Sequence, residues 1–354
     1  MPSSQMIIGK KLISKGAQIA GVMACIPSRT IDNSHFQDRF TTSEIDDVVK
    51  LIGVKQRRWA DKQTSAGDLC FLAAKKLLSE LDWRSDSIDA IIFVSQTPDY
   101  RLPATACSLQ ARLGISNACI AFDVNLGCSG YPYALWLGMS MIQTGAARRV
   151  LLAVGDTISK IVDTADRSTA LLFGDAGTVT ALEANENNET SYFILGTDGA
   201  GSKNLIVPNG AFKNDSMKDD HRLSAKNLAC LFMDGGEIFN FTLKTIPTLV
   251  ASLLDFSQTK NTDYQSFLFH QANLFMLKHL SKKSKLAEDQ VPLNIQNYGN
   301  TSCASIPLLM ATNLSENLKS ESSLLAMFGF GVGYSWGAAS IRVGPLKTAG
   351  VIEV

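Results

Sequence analysis

Two phrases of this chain, Asn125-Leu-Gly-Cys128-Ser-Gly-Tyr-Pro132 and Asn300-Thr-Ser-Cys303-Ala-Ser-Ile-Pro307, match at a shift of 300 − 125 = 175 residues. The same ungapped shift lays Ile92-Phe93-Val94 on Phe267-Leu268-Phe269, and Val150-Leu151-Leu152 on Leu325-Ala326-Met327. Three separated segments sharing one offset imply a duplicated unit. With 354 residues, each copy is long enough to hold its own core. Helix-period and strand-period segments alternate throughout, so each copy reads as α/β. The polar run Asn185-Glu186-Asn187-Asn188-Glu189 is the expected boundary, giving a first half, 1–187, and a second, 188–354.

The pattern predicts a helix from about Ser65 to Leu81, a strand over 88–95 and a buried strand over 119–124. A sharp glycine-containing turn then leads into a long apolar helix over 131–143, and a further strand covers 150–154. Residues 208–227 are polar and predict an exposed excursion. Lys10-Lys11 precede an apolar stretch ending at Cys25. Lys15 and Gln18 interrupt it and leave too little apolar core for an export signal, so it reads as a first strand. Sites in open α/β folds lie at the carboxyl ends of strands. Cys128, His270 and Asn300 each follow a predicted strand or its turn, so they are expected to meet in a crevice between the halves.

Composition narrows the function by exclusion. Lys+Arg and Asp+Glu balance at 33 each, which gives no global pull toward nucleic acid or an anionic membrane. No apolar run reaches the ~18 residues of a membrane span. Seven cysteines, odd in number and without a CxxC pair, point to a reducing compartment, the cytoplasm. No metal site and no cofactor is expected.

Cys128 sits on a glycine-flanked strand-to-helix turn, where helix N–H groups and the positive end of the dipole are expected to lower a thiol's pKa. A thiolate is what a nucleophile needs, although a buried structural cysteine on a tight turn fits the same residues. His270 closes Ser266-Phe-Leu-Phe269, whereas His35, His221 and His279 lie in polar contexts. Alone, it is as consistent with a structural histidine as with a catalytic one. Asn300 could equally be a turn residue or a helix cap. Phe328-Gly-Phe-Gly-Val-Gly-Tyr-Ser-Trp336-Gly looks like a nucleotide loop but opens no helix, so a tight turn presenting a backbone N–H to an oxyanion fits better.

Taken together and in this order, Gly-Cys128-Ser-Gly, Leu172-Phe-Gly-Asp175-Ala-Gly, His270-Gln-Ala-Asn273, Tyr-Gly-Asn300-Thr-Ser and Gly-Tyr-Ser-Trp336-Gly resemble the β-ketoacyl-[acyl carrier protein] synthase III family. The resemblance runs over nearly the whole chain. It implies a five-layered α-β-α-β-α thiolase fold, a homodimer and a Cys-His-Asn site. It implies that Cys128 takes an acyl group from an acyl-CoA or acyl-ACP primer. His270 and Asn300 would then hold the malonyl-ACP thioester oxygen as CO2 leaves, and the N–H groups of Cys128 and Val332 would hold the acyl oxyanion. Arg167 and Asn273 would contact substrate, and Lys282 and Lys283 would meet the acyl carrier protein.

The chain departs from the family pattern around the entrance. Val332 replaces a glycine, and Asp47 and Leu51 fall where a tryptophan and an arginine clamp the CoA adenine. Phe275 replaces an arginine and Asn240 a lysine, while Leu102 stands where a phenylalanine caps the acyl pocket across the dimer. A primer longer than acetyl follows as the expectation. The alternatives are a type III polyketide synthase-like enzyme or a non-decarboxylating acyltransferase of the same fold. A cysteine protease would want a Cys-Gly-x-Cys-Trp phrase, and a non-catalytic partner subunit would be expected to lack part of the triad.

Overall fold

In a computed structural model of the protein, the described residues are 8–187, 189–213, 219–224 and 226–354. The chain begins with two strands where the sequence predicts one. Gly16, at φ +75°, takes a left-handed turn that glycine adopts cheaply. It separates β1 (Lys10–Lys15) from β2 (Ala17–Ile26), and the two enter different sheets.

The first half also supplies β3 (Ala90–Val94), β4 (Ile120–Val124), β5 (Arg149–Asp156) and β6 (Ala176–Ala184). With β2 and the C-terminal strand β11 (Thr348–Glu353) they form a six-stranded sheet, ordered β11-β2-β6-β5-β3-β4. The second half supplies β7 (Thr190–Thr197), β8 (Ser266–Phe269), β9 (Ser323–Gly331) and β10 (Ser335–Val343). These join β1 in a five-stranded sheet, ordered β1-β7-β10-β9-β8. The expected boundary falls on the link from β6 to β7, which carries the chain from one sheet to the other; residue 188 itself lies outside the described residues. Each terminal strand crosses back to the sheet of the opposite half.

Helices cover both faces of each sheet, which is why strands such as Ala90-Ile-Ile-Phe-Val94 are apolar without alternation. Helix α1 (Thr42–Ile52) packs against the helix Leu274–Lys283. Helix α2 (Ala66–Leu81) opens with a Ser65–Asp68 capping box and packs on β2, β5 and β6. Helices α3 (Gly130–Gln143) and α6 (Ser305–Asn313) lie between the sheets. On the far face of the five-stranded sheet lie α4 (Gly235–Ser257) and α5 (Leu274–Lys283). The layering is therefore α-β-α-β-α. Its centre is apolar, with Tyr131, Leu135 and Met139 meeting Leu308 and Met310. Among the described residues no helix is long and apolar enough to cross a membrane.

The 175-residue shift aligns α2 with α4, β3 with β8, α3 with α6 and β5 with β9. It then breaks. The second half turns from β9 to β10 through Val332, Gly333 and Tyr334, while the first half inserts a long segment between Asp156 and Ala176. The strand over 119–124, expected to be buried, is instead the free edge of its sheet, with Ile120 43% exposed.

Candidate active site

Cys128 lies between the end of β4 and the start of α3 and is buried. Glycines let the β9–β10 hairpin press against it. A Cβ on Gly331, at φ +156°, would sit 2.9 Å from Cys128 Cβ and 3.1 Å from its sulfur. A Cβ on Gly329 would sit 2.8 Å from the Cys128 carbonyl oxygen. This approach brings the N–H groups of both Val332 and Cys128 to the sulfur. It also brings Ser129 and Ser335 into a 2.6 Å hydroxyl pair.

The thiol is not acidified as the turn suggested. Burial pushes its pKa up to about 12, and the Asp156 carboxylate adds to the rise. The Ser302 hydroxyl and the two backbone N–H groups pull in the opposite direction without overcoming burial. The helix start contributes less than an ordinary one, because the Gly130 N–H is bonded to Gly127 at 2.7 Å and Pro132 has no N–H.

His270 extends the parallel pairing of β8 with β9, its N–H donating to Phe328 at 2.8 Å. Nδ1 lies 2.7 Å from the Ser305 hydroxyl, and Phe330 meets the ring edge-on at 5.6 Å. Burial lowers the imidazole pKa to about 3, opposed by a hydrogen bond with the Ser302 backbone. The ring is therefore neutral at pH 7.

Asn300 is held by a seam between the halves. Its N–H donates to Leu172 at 2.9 Å, and its carbonyl accepts from Gly174 at 3.1 Å. Gly174 and Gly299 are the residues that allow this approach, since a Cβ on Gly299 would meet the Leu172 carbonyl at 2.6 Å. The Asn300 side chain accepts from the Ser302 N–H at 2.9 Å and donates to Ala272 at 3.3 Å. In the same phrase Asp175 takes the Ala60 N–H and both the N–H and hydroxyl of Ser159. Burial nevertheless raises its pKa to about 6.

Ser302 is the residue the sequence reading left without a role. At φ +52° it stands in the left-handed region and touches Cys128, His270 and Asn300 at once. Its signal was visible only as the position aligned with Gly127, where the other half uses glycine.

A cavity of about 520 Å³ opens from Cys128, Ser302 and Val332. The inserted segment supplies Ile158, Ile161 and Phe173, and the link after β7 supplies Leu205, Ile206, Val207 and Leu231. The excursion expected to be exposed also contributes, since Asn209 and Gly210 line the wall and Leu223 is buried; 214–218 and 225 lie outside the described residues.

The other expected contacts are more scattered. Leu102 is 79% exposed and is not on this cavity's wall. Arg167 reaches Glu44 of α1 at 3.5 Å. Asn273 caps α5, accepting from the Met276 N–H at 2.8 Å, and is not on this cavity's wall. Lys282 and Lys283 are exposed at the end of α5, with Lys283 donating to the Leu243 carbonyl at 2.7 Å. Phe275 stacks on Phe239 where the family pattern has an arginine.

Residues 122–199 match the family model described as 3-oxoacyl-[acyl-carrier-protein (ACP)] synthase III, and residues 254–343 match its C-terminal counterpart. A β-ketoacyl-[acyl-carrier-protein] synthase III of Caldanaerobacter subterraneus is 33% identical, over 92% of this chain and 97% of its own length. One from Clostridium perfringens is 34% identical over 93% of this chain and all of the relative. Among solved structures, a 3-oxoacyl-(acyl-carrier protein) synthase of Burkholderia xenovorans is 61% identical, with a TM-score of 0.97 over 98% of this chain and 99% of that one.

Proposed function

Because this chain belongs to the 3-oxoacyl-[acyl-carrier-protein] synthase III family of thiolase-fold condensing acyltransferases, we propose that Cys128, His270 and Asn300 carry its chemistry in two half-reactions. In the first, the Cys128 sulfur attacks the primer's thioester carbonyl. The oxyanion is held by the N–H groups of Cys128 and Val332, and the donor thiol leaves with the cysteine's proton. In the second, the bond from malonyl C2 to its carboxylate breaks and CO2 departs. The electron pair enters an enolate whose oxygen receives hydrogen bonds from His270 and Asn300. C2 then attacks the acyl carbonyl, the C–S bond breaks, and Cys128 takes a proton to return as a thiol.

The observation that carries this reading is the convergence of all three groups on Ser302 behind one cavity. A neutral imidazole suits the second step, since with Nδ1 accepting from the Ser305 hydroxyl its Nε2–H is the donor to the enolate oxygen.

The primer is longer than acetyl, delivered as an acyl-CoA or on the acyl carrier protein, and malonyl-ACP is the extender. The cavity volume supports a longer chain, and each buried methylene contributes roughly 0.8 kcal/mol. Carrier docking is placed at Lys282 and Lys283, with Arg167 and Asn273 lining the approach. The protein acts as a homodimer of two-halved subunits, 1–187 and 188–354, in the cytoplasm. Seven free cysteines fit that compartment.

Incubation with an octanoyl thioester should add one acyl mass by intact-protein mass spectrometry, and Cys128→Ala should abolish it. His270→Ala and Asn300→Ala should keep acylation but slow malonyl-ACP decarboxylation by ~10²–10³ each. Labelling at Cys303, the twin position, or decarboxylation at the parent rate in both variants, would refute the assignment.

A further inference from the structure

The apolar cavity at Cys128 is not uniformly apolar. Gln96 and Asn125 line it beside the nucleophile, and neither carboxamide has a hydrogen-bond partner among the described residues. We propose that these two carboxamides read a neutral oxygen substituent, a hydroxyl or keto group near the thioester, on the acyl chain that Cys128 accepts. This rests on Cys128 being the acylated residue and goes on to name the chemical class of acyl group.

Three observations carry it. The first is that the position of Gln96 is built. Asp156 is fully buried, and one of its oxygens accepts from the Gln96 N–H at 2.8 Å. The same oxygen accepts from the Ser95 hydroxyl at 2.9 Å, and from the Thr97 N–H and hydroxyl at 3.1 and 3.0 Å. The backbone beneath Gln96 is thereby knotted, so its side chain leaves β3 in a defined direction.

The second is that the neighbour of the nucleophile makes room for the carboxamide. A Cβ on Gly127 would lie 3.0 Å from the Gln96 carboxamide carbon, closer still to its oxygen, and 2.9 Å from a Val332 methyl. Gly127 carries no positive φ, so space, rather than backbone freedom, is what its missing side chain provides. The Gln96 carboxamide consequently sits over the residue that precedes the nucleophile, in the cavity that Cys128 lines.

The third is the absence of charge. No lysine, arginine, aspartate, glutamate or histidine lines the cavity among the described residues. A carboxylate-bearing acyl chain would enter without a counter-charge and lose its hydration, whereas a hydroxyl or ketone exchanges water for amide hydrogen bonds. Conversely, a plain alkyl chain would cover the half-buried Gln96 carboxamide without giving it a partner, with the exposed Asn125 beside it, and sites with buried polar groups discriminate strongly against ligands that leave them unpaired.

The test uses the whole protein and three N-acetylcysteamine thioesters, octanoyl, 3-hydroxyoctanoyl and octanedioyl, which need neither CoA nor carrier recognition. Acylation of Cys128 is followed by intact mass, giving kcat/KM for each. The 3-hydroxyoctanoyl donor should exceed octanoyl by roughly tenfold, the worth of one net hydrogen bond, and octanedioyl should be slowest. In Gln96→Leu, or in Asn125→Leu should the first fail to fold, the hydroxy preference should collapse toward unity. Equal or reversed preference in the parent overturns the proposal while leaving Cys128 as the acylated residue. So does a preference that survives both substitutions. No acylation by any donor overturns both readings together.

Discussion

Burial is the largest influence on the protonation of both Cys128 and His270. The buried thiol carries its proton at neutral pH, since its pKa is raised to about 12. Only the thiolate alkylates readily. The rate of Cys128 modification by iodoacetamide, followed on its tryptic peptide, should therefore climb about tenfold per pH unit from 7 to 10 without a plateau. A plateau below pH 9 would show an acidified thiol instead. His270 shifts the opposite way, to about 3, so protonation removes its neutral form only well below pH 4. Malonyl decarboxylation between pH 5 and 8 should consequently show no histidine ionisation. The tertiary fold sets both directions, since a free turn peptide would have neither burial nor Ser302.

At the scale of elements, the site depends on close backbone approaches that glycine permits. The β9–β10 hairpin brings Val332 to Cys128 because Gly329 and Gly331 lack side chains. In Gly331→Ala the new methyl would meet the Cys128 side chain, and the residue would be held at a φ that L-residues rarely adopt. The expected cost is about 1–3 kcal/mol of stability, visible as a lowered Tm, with acylation slowed at least tenfold. Unchanged Tm and acylation would show that the hairpin relaxes around the methyl. Such approaches are partly legible beforehand: the glycine-rich phrase signals a tight turn, but not which residue across the fold it will touch. Ser302 illustrates the limit, because an ordinary serine in sequence carries no mark of a left-handed backbone.

For the whole molecule, the two halves are tied by crossed terminal strands, by α3 and α6 between the sheets, and by the Leu172–Asn300 seam. The free edge of β4 and the outward Leu102 lie outside any core that one chain supplies. Both fit a second copy of the chain pairing along that edge, which sheets with exposed edges require or must block. Sedimentation should find a dimer, and Ile120→Lys on the edge should shift it toward monomer. Leu102→Phe should move donor selectivity toward shorter chains, read as the ratio of kcat/KM for hexanoyl over decanoyl thioesters. A monomeric parent protein would remove the basis for the Leu102 expectation.

What the sequence determined by itself is whatever depends on short-range pattern and on repetition. The alternating periods, the 175-residue shift, the helix from Ser65 and the Cys128, His270 and Asn300 phrases each survive without knowledge of the fold. They arise from interactions within a turn or a strand, or from two copies of one unit. What only the tertiary structure decided depends on contacts between segments far apart in the chain. Gly16 sends one apparent strand into two sheets, β1 to the edge of one and β2 between β11 and β6 of the other. The polar excursion folds back onto the cavity, and the thiol is raised by surroundings drawn from both halves. Gln96 lines the cavity with Cys128, its backbone held by Asp156, 60 residues onward. Desolvation and long-range packing are collective properties, so no single phrase carries them.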